Sequence, residues 1–431
     1  MPARHGRNDT RATSSSSPTS TPDPTKSSPD RGERGFGTRA ARVGEGGAPV
    51  GSARPLAEPI YQTTVWGFDD LAAVDDWYEG RSSDTFLYYR NGNPNTVDLE
   101  RAVADLEGAE AGVAAASGMA AIAGALLAAL EAGDHVVADR NVYGGTVVLL
   151  RSELARLGIE SDLVESTDLD AVAAAMRPNT KVLHVESLSN PLLRCPDLPA
   201  LAEIAHARGA LFSVDNTFAS PALLRPIEHG ADVVTHSLAK YLGGHSVAAG
   251  GVAVGRRELI ARARDRLTRL GGTIGALDAW LSVQGIKTLG LRMRAHAENG
   301  LAIGQALEAR EEVARVYYPG LRSHPDHATA ERYFRAGYGG MLSFDVGSAA
   351  AARAFLGEIG RAGIPFSPSL ADVRTTVSYP AGTSHRMLSA AERGAIGVTD
   401  GLIRLSVGIE ERSDILADLE RAVAAAKAGV K

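Results

Sequence analysis

The middle of this chain alternates between short apolar runs that end in polar residues and stretches with helical spacing. The runs are His135–Asp139, Lys181–Glu186, Ala210–Asp215 and Ala231–His236, and Leu198–Arg208 is one of the helical stretches between them. Strands that alternate with helices predict an α/β fold with a mostly parallel sheet and helices on both faces. Ligands of such sheets bind beyond the carboxyl ends of the strands, so the polar residues there are the first functional candidates.

A second region follows from about Arg292 and has a different pattern. It begins with a long helical stretch, continues with the apolar runs Met341–Val346 and Leu402–Ser406, and ends in an amphipathic stretch at about 413–428. This pattern predicts a smaller α+β C-terminal domain over 292–431, after a large domain over 93–291.

The first residues differ in composition from everything that follows. They are rich in Ser, Thr, Pro, Gly and Arg and contain almost no large apolar side chains. Such a segment cannot bury enough surface to offset its ordering entropy, so we expect a disordered tail over 1–45. The apolar centre of a secretory signal is missing from this segment. The apolar stretch 111–130 is mostly Ala and Gly, and it predicts a buried helix from near Ser117 rather than a membrane span.

Charge and cysteine content exclude several classes of protein. The formal net charge is −6, so the chain lacks the positive field that would hold nucleic acid or an anionic membrane. Cys195 is the only cysteine, which rules out an intrachain disulfide and cysteine-rich metal sites. The 11 His residues show no metal-ligand spacing, and we expect no metal site. The composition suits a cytoplasmic enzyme or binding protein.

Asp215 and Lys240 follow neighbouring predicted strands, and they leave two interpretations open. They could form a structural ion pair. They could also belong to a pyridoxal phosphate site, in which a Lys bonds the cofactor as a Schiff base and an Asp keeps its pyridine nitrogen protonated.

The second interpretation requires a place for the phosphate and an aromatic partner for the ring. A helix N-terminus binds anions through its free N–H groups and its dipole, and Ser117-Gly118 at the start of the Ala-rich stretch could provide one. Tyr143 follows a strand and could stack on the ring. Each signal alone is weak, because many helices begin after Ser-Gly and many loops contain Tyr.

The constellation as a whole resembles the Cys/Met-metabolism family of pyridoxal-phosphate enzymes, which have fold type I. That family includes cystathionine γ-synthase and γ-lyase, methionine γ-lyase and the O-acylhomoserine sulfhydrylases. The resemblance runs from near Pro59 to the final helix, and its matching blocks stand in family order. These are residues 59–64, 88–94, 117–120, 186–191, 214–217, 237–242, 285–289 and 401–408.

The resemblance implies a role for each matching residue. Lys240 would bond the cofactor and then move protons, Asp215 would pair with the pyridine nitrogen, and Tyr143 would stack on the ring. The phosphate would be bound by Gly118, Met119 and Ser237, with Thr217 fixing the ring. Arg404 would bind the substrate α-carboxylate with help from Asn190 and the backbone around Ser369, because its planar fork suits a carboxylate.

The resemblance also implies an assembly. Tyr88 and Arg90 would belong to an N-terminal arm, 46–92, that reaches the cofactor phosphate of a neighbouring subunit. The active sites would then be composite and the minimal unit a homodimer, which is often paired into a tetramer in this family. Tyr143 or Tyr88 would protonate the leaving group.

Several positions depart from the family pattern. Ala239 stands where Ser or Thr is usual, so one hydroxyl contact to the phosphate is missing and we expect weaker cofactor affinity. Gly145 stands where methionine γ-lyases commonly have Cys. Arg374 stands where cystathionine enzymes typically have Glu, and it would repel a distal ammonium if its side chain points inward. These departures are either neutral or signs of an unusual substrate.

The reaction that the resemblance favours is γ-elimination from a γ-substituted L-amino acid. Its alternative is γ-replacement, as in O-acylhomoserine sulfhydrylases or cystathionine γ-synthase. A third possibility, suggested by the departures, is γ-elimination from a non-proteinogenic amino acid, for example a halogenated one, in specialised metabolism. A family member that binds the cofactor without turnover is the non-enzymatic alternative.

Overall fold

The computed structural model describes residues 35–44, 53–82, 85–386 and 389–428. Seven strands form a central sheet. They are β1 Ala111–Ala115, β2 His135–Asp139, β3 Glu160–Val164, β4 Thr180–Glu186, β5 Leu211–Asp215, β6 Val233–Ser237 and β7 Gly251–Gly255. Their order is β1-β7-β6-β5-β4-β2-β3, and β7 alone runs antiparallel to its two neighbours. The expected mostly parallel sheet is therefore present.

A second, antiparallel sheet has the order β10-β11-β9-β8. Its strands are β8 Arg315–Tyr317, β9 Met341–Asp345, β10 Thr376–Ser378 and β11 Leu402–Ser406. Together with the helices packed against it, this sheet forms the smaller α+β part of the fold. The long helix expected from about Arg292 begins at Leu289, a few residues earlier. The proposed boundary between the domains stays a prediction.

Helices surround both sheets among the described residues. In chain order they are α1 Phe36–Ala41, α2 Leu71–Tyr78, α3 Pro94–Glu107, α4 Gly118–Leu127, α5 Gly144–Val148, α6 Leu169–Ala175, α7 Leu198–Ala207, α8 Ser220–Leu223, α9 Arg257–Leu270, α10 Ala276–Lys287, α11 Leu289–Glu308, α12 His327–Tyr333, α13 Ala349–Arg361, α14 Ala390–Ala395 and α15 Arg412–Ala428. In the described part of the chain, no helix is both long enough and apolar enough to span a membrane.

One cluster of buried side chains connects the two sheets. Phe212 of β5 and Phe344 of β9 both belong to it and are fully buried. The described residues from Phe36 onward belong to one compact unit. The carboxyl ends of β4, β5 and β6 therefore face elements of the smaller sheet, and the cavity described below lies there.

The first helix corrects one boundary of the sequence analysis. The predicted disordered tail extends to residue 45, but Phe36–Ala41 are helical, and Ala40 and Val43 are buried. Phe36, Ala40 and Val43 lie at helical spacing and pack against the core, a short pattern that the surrounding polar composition concealed. Residues 1–34 and 45 lie outside the described part of the chain.

Candidate active site

Helix α4 begins at the edge of a cavity. Ser117 caps it, because the hydroxyl oxygen of Ser117 accepts a hydrogen bond from the N–H of Ala120 at 3.1 Å. A methyl group on Gly118 would lie 2.9 Å from Cβ of Ser237, so only glycine lets the helix start approach the end of β6 this closely. The first N–H groups of a helix have no acceptor inside it, and here they stand beside the Ser237 side chain. This arrangement is suited to an anion.

Three neighbouring parallel strands deliver polar side chains to the same cavity. Glu186 of β4 is directly opposite Asp215 of β5, and Ser237 ends β6. Thr217 joins the last two, since its N–H donates to Asp215 Oδ1 at 2.9 Å and its Oγ1 accepts from the N–H of Ser237 at 2.9 Å.

Asp215 and Glu186 are two buried carboxyl groups with different surroundings. Burial raises the pKa of Asp215, whereas the hydrogen bonds from Thr217 and the charges of His236 and Lys240 lower it. Burial raises the pKa of Glu186 well above its ordinary value, and the nearby Asp215 raises it further. Of the two carboxyl groups, Glu186 is therefore the better holder of a proton, because Asp215 has more donors and cations around it.

Lys240 lies in a short helical turn, Leu238–Leu242, directly after β6. Its backbone departs from helical values at φ −114° and ψ −139°, and its side chain reaches the cavity. No carboxylate of the described residues forms an ion pair with its amine. Burial lowers the pKa of Lys240, the charge of Arg404 lowers it further, and Asp215 opposes both effects. The structural ion pair considered for Asp215 and Lys240 is not formed.

Arg404 extends from β11 of the smaller sheet and is only 4% exposed. Its Nη1 donates to Asn190 Oδ1 at 3.1 Å and its Nη2 to the carbonyl of Ser369 at 3.3 Å. Its buried Nε has no hydrogen-bond partner in the part of the chain that the structure describes. Burial lowers the pKa of Arg404 to about 10, so it remains a cation at neutral pH. A buried guanidinium with a free donor and no carboxylate partner is suited to an anionic ligand.

The backbone of Tyr143 is held in place by the Glu186 side chain. Its N–H donates to Glu186 Oε1 at 2.6 Å, and its side chain lies at the cavity edge with 47% of the residue exposed. A methyl group on Gly145 would come within 2.5 Å of the Tyr143 ring and 3.1 Å of Met119 Sδ. Glycine at 145 therefore leaves room for this position of the ring.

The cavity has a volume of about 290 Å³ and brings most of the predicted site residues together. Those on its wall are Gly118, Met119, Tyr143, Asn190, Asp215, Thr217, Ser237, Lys240 and Arg404. Ser369 is not on the wall, but its carbonyl contacts Arg404. Tyr88 and Arg90 also lie outside the wall, where Arg90 stacks on the Tyr88 ring at 5.4 Å. Their proposed contact with a neighbouring subunit stays a prediction.

The sequence analysis missed several residues of the cavity wall. Glu186 is the polar one with the clearest signal, since it ends a predicted strand as Asp215 does. The apolar part of the wall contains Ile122, Leu188, Phe218 and Leu370, and no local pattern distinguishes these from ordinary core residues. Arg374 is exposed and is not on the wall, so the structure gives no inward position for its charge.

Cys195 has no place in this chemistry. It is buried, and burial raises the pKa of its thiol well above the ordinary value, which disfavours the reactive thiolate.

These features fit pyridoxal phosphate. The cradle of the α4 N-terminus, Gly118 and Ser237 suits its phosphate, and the buried Asp215 carboxyl suits a ring nitrogen that must carry a proton. An amine of lowered pKa on Lys240 suits covalent attachment of an aldehyde. The fold and the cavity thus define a pyridoxal-phosphate-dependent enzyme of the α/β class.

Comparison with known proteins identifies the family. The family model for the Cys/Met metabolism PLP-dependent enzymes matches residues 38–424. The chain belongs to this family and is a pyridoxal-phosphate-dependent enzyme of sulfur amino-acid metabolism.

Relatives of different activity are similar to the chain to nearly the same degree. Cystathionine gamma-lyase of Bacillus subtilis is 44% identical over 369 residues, which cover 85% of this chain and 94% of the relative. O-succinylhomoserine sulfhydrylase of Pseudomonas aeruginosa is 41% identical over 391 residues, 90% of this chain and 95% of the relative. L-methionine gamma-lyase of Fusobacterium nucleatum is 39% identical over 391 residues, 90% and 97%.

Solved structures show the same fold. Cystathionine gamma-lyase from Lactobacillus plantarum, complexed with L-serine, matches with a TM-score of 0.84 and 34% identity, covering 91% of this chain and 100% of that one. Cystathionine gamma synthase from Xanthomonas oryzae pv. oryzae, in complex with aminoacrylate and cysteine, matches with a TM-score of 0.84 and 37% identity, covering 92% and 99%. The predicted fold type I is therefore confirmed.

Proposed function

We propose that the chain catalyses γ-elimination from a γ-substituted L-amino acid, as methionine and cystathionine γ-lyases do. The observation that carries the proposal is that Lys240, Asp215 and Arg404 meet in one cavity. Asp215 ends β5 and Lys240 follows β6 of the large sheet, whereas Arg404 comes from the smaller sheet. An amino acid bound between them would present its carboxylate to Arg404 and its α-carbon to Lys240.

Each cavity residue has a proposed task toward the cofactor. Lys240 would bond it, Asp215 would hold the proton of its ring nitrogen, and Tyr143 would stack on the ring. Its phosphate would take hydrogen bonds from the start of α4 and from Ser237, and Thr217 would help to fix the ring. When bound, the cofactor supplies an electron sink for the negative charge that develops at the substrate α- and β-carbons.

Arg404 would orient the substrate. Its guanidinium is held by Asn190 Oδ1 and by the Ser369 carbonyl, and Nε stays available for one carboxylate oxygen. Because a buried cation has few rotamers and no competing acid, the carboxylate would be fixed in one orientation.

Lys240 would move the protons. Loss of a group from the γ-carbon requires that a proton leave the α-carbon first and the β-carbon second. Once released from the cofactor, the Lys240 amine can reach both carbons on its flexible stem, and its lowered pKa makes the neutral base available nearer to neutral pH. Tyr143, on the cavity wall, or Tyr88 of a neighbouring subunit would donate a proton to the leaving group.

A second candidate is γ-replacement, in which a thiol or sulfide adds after the first group has left. The similarity to the O-succinylhomoserine sulfhydrylase, 41% identity over 391 residues, is the observation that favours it. Elimination from a halogenated amino acid remains a third prediction, and of the departures that suggest it, Arg374 is exposed and lies off the cavity wall. We expect a small amino-acid substrate, no nucleic-acid or membrane partner, a homodimer or homotetramer, and a cytoplasmic location.

The test is a substrate panel with purified, cofactor-loaded enzyme. Methionine, cystathionine, O-acetylhomoserine, O-succinylhomoserine and a γ-chloro amino acid are each incubated with and without sulfide, and 2-oxo acid, ammonia and amino-acid products are measured. Oxo acid and ammonia without sulfide support the lyase, whereas a new thio-amino acid formed only with sulfide makes the enzyme a transferase. Turnover of the chloro substrate alone favours the third candidate. A Lys240→Ala variant that turns over normally would overturn the site itself.

A further inference from the structure

Arg292 of α11 is a buried cation with no acidic partner. Only 3% of the residue is exposed, and no carboxylate among the described residues forms an ion pair with it. Burying a charge is costly unless hydrogen bonds and an opposite charge compensate it. Burial lowers the pKa of Arg292 to about 10, so it is still charged at neutral pH. Its hydrogen bonds must therefore provide the compensation.

All of those hydrogen bonds go to the ends of two helical segments. Nη1 donates to the carbonyl of Tyr241 at 2.7 Å, and Nη2 donates to the carbonyls of Gly285 at 2.7 Å and Leu242 at 3.4 Å. Nε donates to Thr288 Oγ1 at 3.1 Å, which anchors the guanidinium on the residue that precedes α11. Tyr241 and Leu242 end the turn that contains Lys240, and Gly285 lies in the last turn of α10.

Helix ends of this kind favour a cation. The last carbonyls of a helix carry partial negative charge, and the Gly285 carbonyl, which accepts the N–H of Thr288 at 3.2 Å, has a second lone pair for the guanidinium. A single planar guanidinium has several N–H donors and can bond carbonyls at the end of the Lys240 turn and at the end of α10 at once. The ammonium group of a lysine is a compact point charge and cannot span both. Arg292 thus joins the end of the turn that contains Lys240 to the last turn of α10.

Two glycines show how tightly this contact is built. A methyl group on Gly285 would lie 2.3 Å from the carbonyl oxygen of Gly243, and one on Gly244 would lie 2.1 Å from Nη1 of Arg292. The chain directly after the Lys240 turn is therefore packed onto the guanidinium and onto α10. Movement of Arg292 would release this segment.

Lys240 has a backbone that needs such support. Its φ and ψ depart from helical values inside an otherwise helical turn, and its carbonyl accepts the N–H of Gly244 at 2.7 Å, so contacts made by the residues after it contribute to its position. We propose that Arg292 is a positioning residue, whose charge and hydrogen bonds hold the turn that aims the Lys240 amine into the cavity. This inference rests on the proposed role of Lys240 as the residue that bonds the cofactor.

The consequence would be seen in the reactivity of Lys240. Its pKa is lowered by burial and by Arg404 of β11, against the opposite effect of Asp215 of β5. If the turn loosens, the amine gains access to water and its pKa rises toward the ordinary value. Covalent attachment of the cofactor would then be slower, and the pH at which it reaches half of its maximal rate would be higher.

The experiment measures this attachment directly. The full chain is freed of cofactor, mixed with pyridoxal phosphate at a series of pH values, and quenched with borohydride, which makes the bond permanent. Peptide mass spectrometry then gives the rate of labelling at Lys240. For Arg292→Gln we expect labelling about tenfold slower than in the wild type and a midpoint about one pH unit higher. Arg292→Lys, which keeps the charge without the fork, is expected to lie between the two.

The controls separate positioning from general stability. Arg294→Gln changes an exposed arginine two residues further along α11, and it should alter neither the rate nor the midpoint. An Arg292→Gln variant with a lower Tm but the wild-type midpoint would overturn the inference. If Arg292→Gln does not fold, Thr288→Val decides, because it removes the acceptor of Arg292 Nε together with the hydrogen bond from the Thr288 hydroxyl to the Gly285 carbonyl at 3.2 Å, and wild-type kinetics in that variant would count against the proposal.

The same experiment distinguishes the inference from the proposed function. A wild-type chain that is labelled at Lys240 while Arg292→Gln behaves identically contradicts the inference alone. A wild-type chain that is not labelled at Lys240 contradicts the proposed function, and the inference fails with it.

Discussion

Arg404 illustrates how a single side chain can depend on both sheets of the fold. It is carried by β11, yet Asn190, which holds its Nη1, follows β4 of the large sheet. The guanidinium is buried, so a bound carboxylate would be shielded from water and its attraction would be stronger than at a surface. The cost of removing the side chain should therefore be large.

We expect Arg404→Ala to raise KM for amino-acid substrates by a factor equivalent to about 2–5 kcal/mol, the range for losing one partner of a buried charge pair. Steady-state kinetics on the best substrate of the panel measure it. Arg361→Ala, at the exposed end of α13, is the matched control and should leave KM unchanged. An unchanged KM in Arg404→Ala would remove the carboxylate assignment.

Asp139, at the end of β2, is a buried acid whose protonation affects stability. Its Oδ1 accepts hydrogen bonds from the N–H groups of Asn141 and Ser166, but its Oδ2 has no partner among the described residues. Burial raises its pKa to about 6 from the ordinary 3.8. The folded chain thus keeps a proton that the unfolded chain releases, and the stability from this group is present below pH 3.8 and lost as the pH rises through 6.

We expect Asp139→Asn to remove this loss. Relative to the wild type, the variant should gain up to about 3 kcal/mol in free energy of unfolding between pH 4 and pH 7. Urea unfolding of the cofactor-free chain at several pH values gives the difference. Asp265→Asn, at an exposed position of α9, is the control and should show no gain of this size. A constant difference for Asp139→Asn would mean that Asp139 is ionised in the folded chain.

At the scale of elements, α1 shows that a short helix can contribute to the core although the sequence around it is polar. It packs against α3, α10 and α11, and Phe36 also contacts the side chain of Arg225. Because Ala40 and Val43 are buried, this segment is part of the core.

Two truncations measure its contribution. A chain that begins at Phe36 keeps α1, and a chain that begins at Gly44 lacks it. We expect the second to be less stable than the first by about 2 kcal/mol, the value for exposing a buried Val and part of a Phe. Thermal and urea unfolding of the pair give the difference. Equal stability would show that the helix contributes nothing by its packing.

At the scale of the whole molecule, the proposed active site is shared between two copies of the chain. Tyr88 and Arg90 lie outside the cavity wall of the single chain, and Tyr88 is 40% exposed. The proposed dimer would bring them to the cavity of a second copy, where Arg90 would meet the cofactor phosphate.

Co-expression of two inactive variants tests this assembly. Lys240→Ala and Arg90→Ala are defective in different parts of a composite site, so a mixed dimer has one site with both defects and one with none. We expect the co-expressed pair to recover up to about a quarter of the wild-type activity through random pairing. Each variant alone is the control. A mixture no more active than its parts would contradict the composite site.

Much of the large sheet was predictable because its signal is local. The four apolar runs became β2, β4, β5 and β6 with nearly the expected bounds, since buried parallel strands are short, apolar and separated by helices. Ser117 was recognisable as a helix start for a similar reason, because a capping side chain acts on the next few residues only. The α1 helix was missed, since a few apolar residues in a polar segment do not give a clear period.

The sequence by itself determined the residues that can do chemistry and the ends of strands at which they stand. Lys240, Asp215 and Arg404 have the same ionisable groups and side-chain lengths in any fold, and the motifs around them indicated the family. Only the tertiary structure decided which environments they share. Burial lowers the pKa of Lys240, Glu186 stands opposite Asp215, and Arg292 joins two helix ends that are far apart along the chain. These properties depend on distances across the sheet and between the two sheets, which no local pattern encodes.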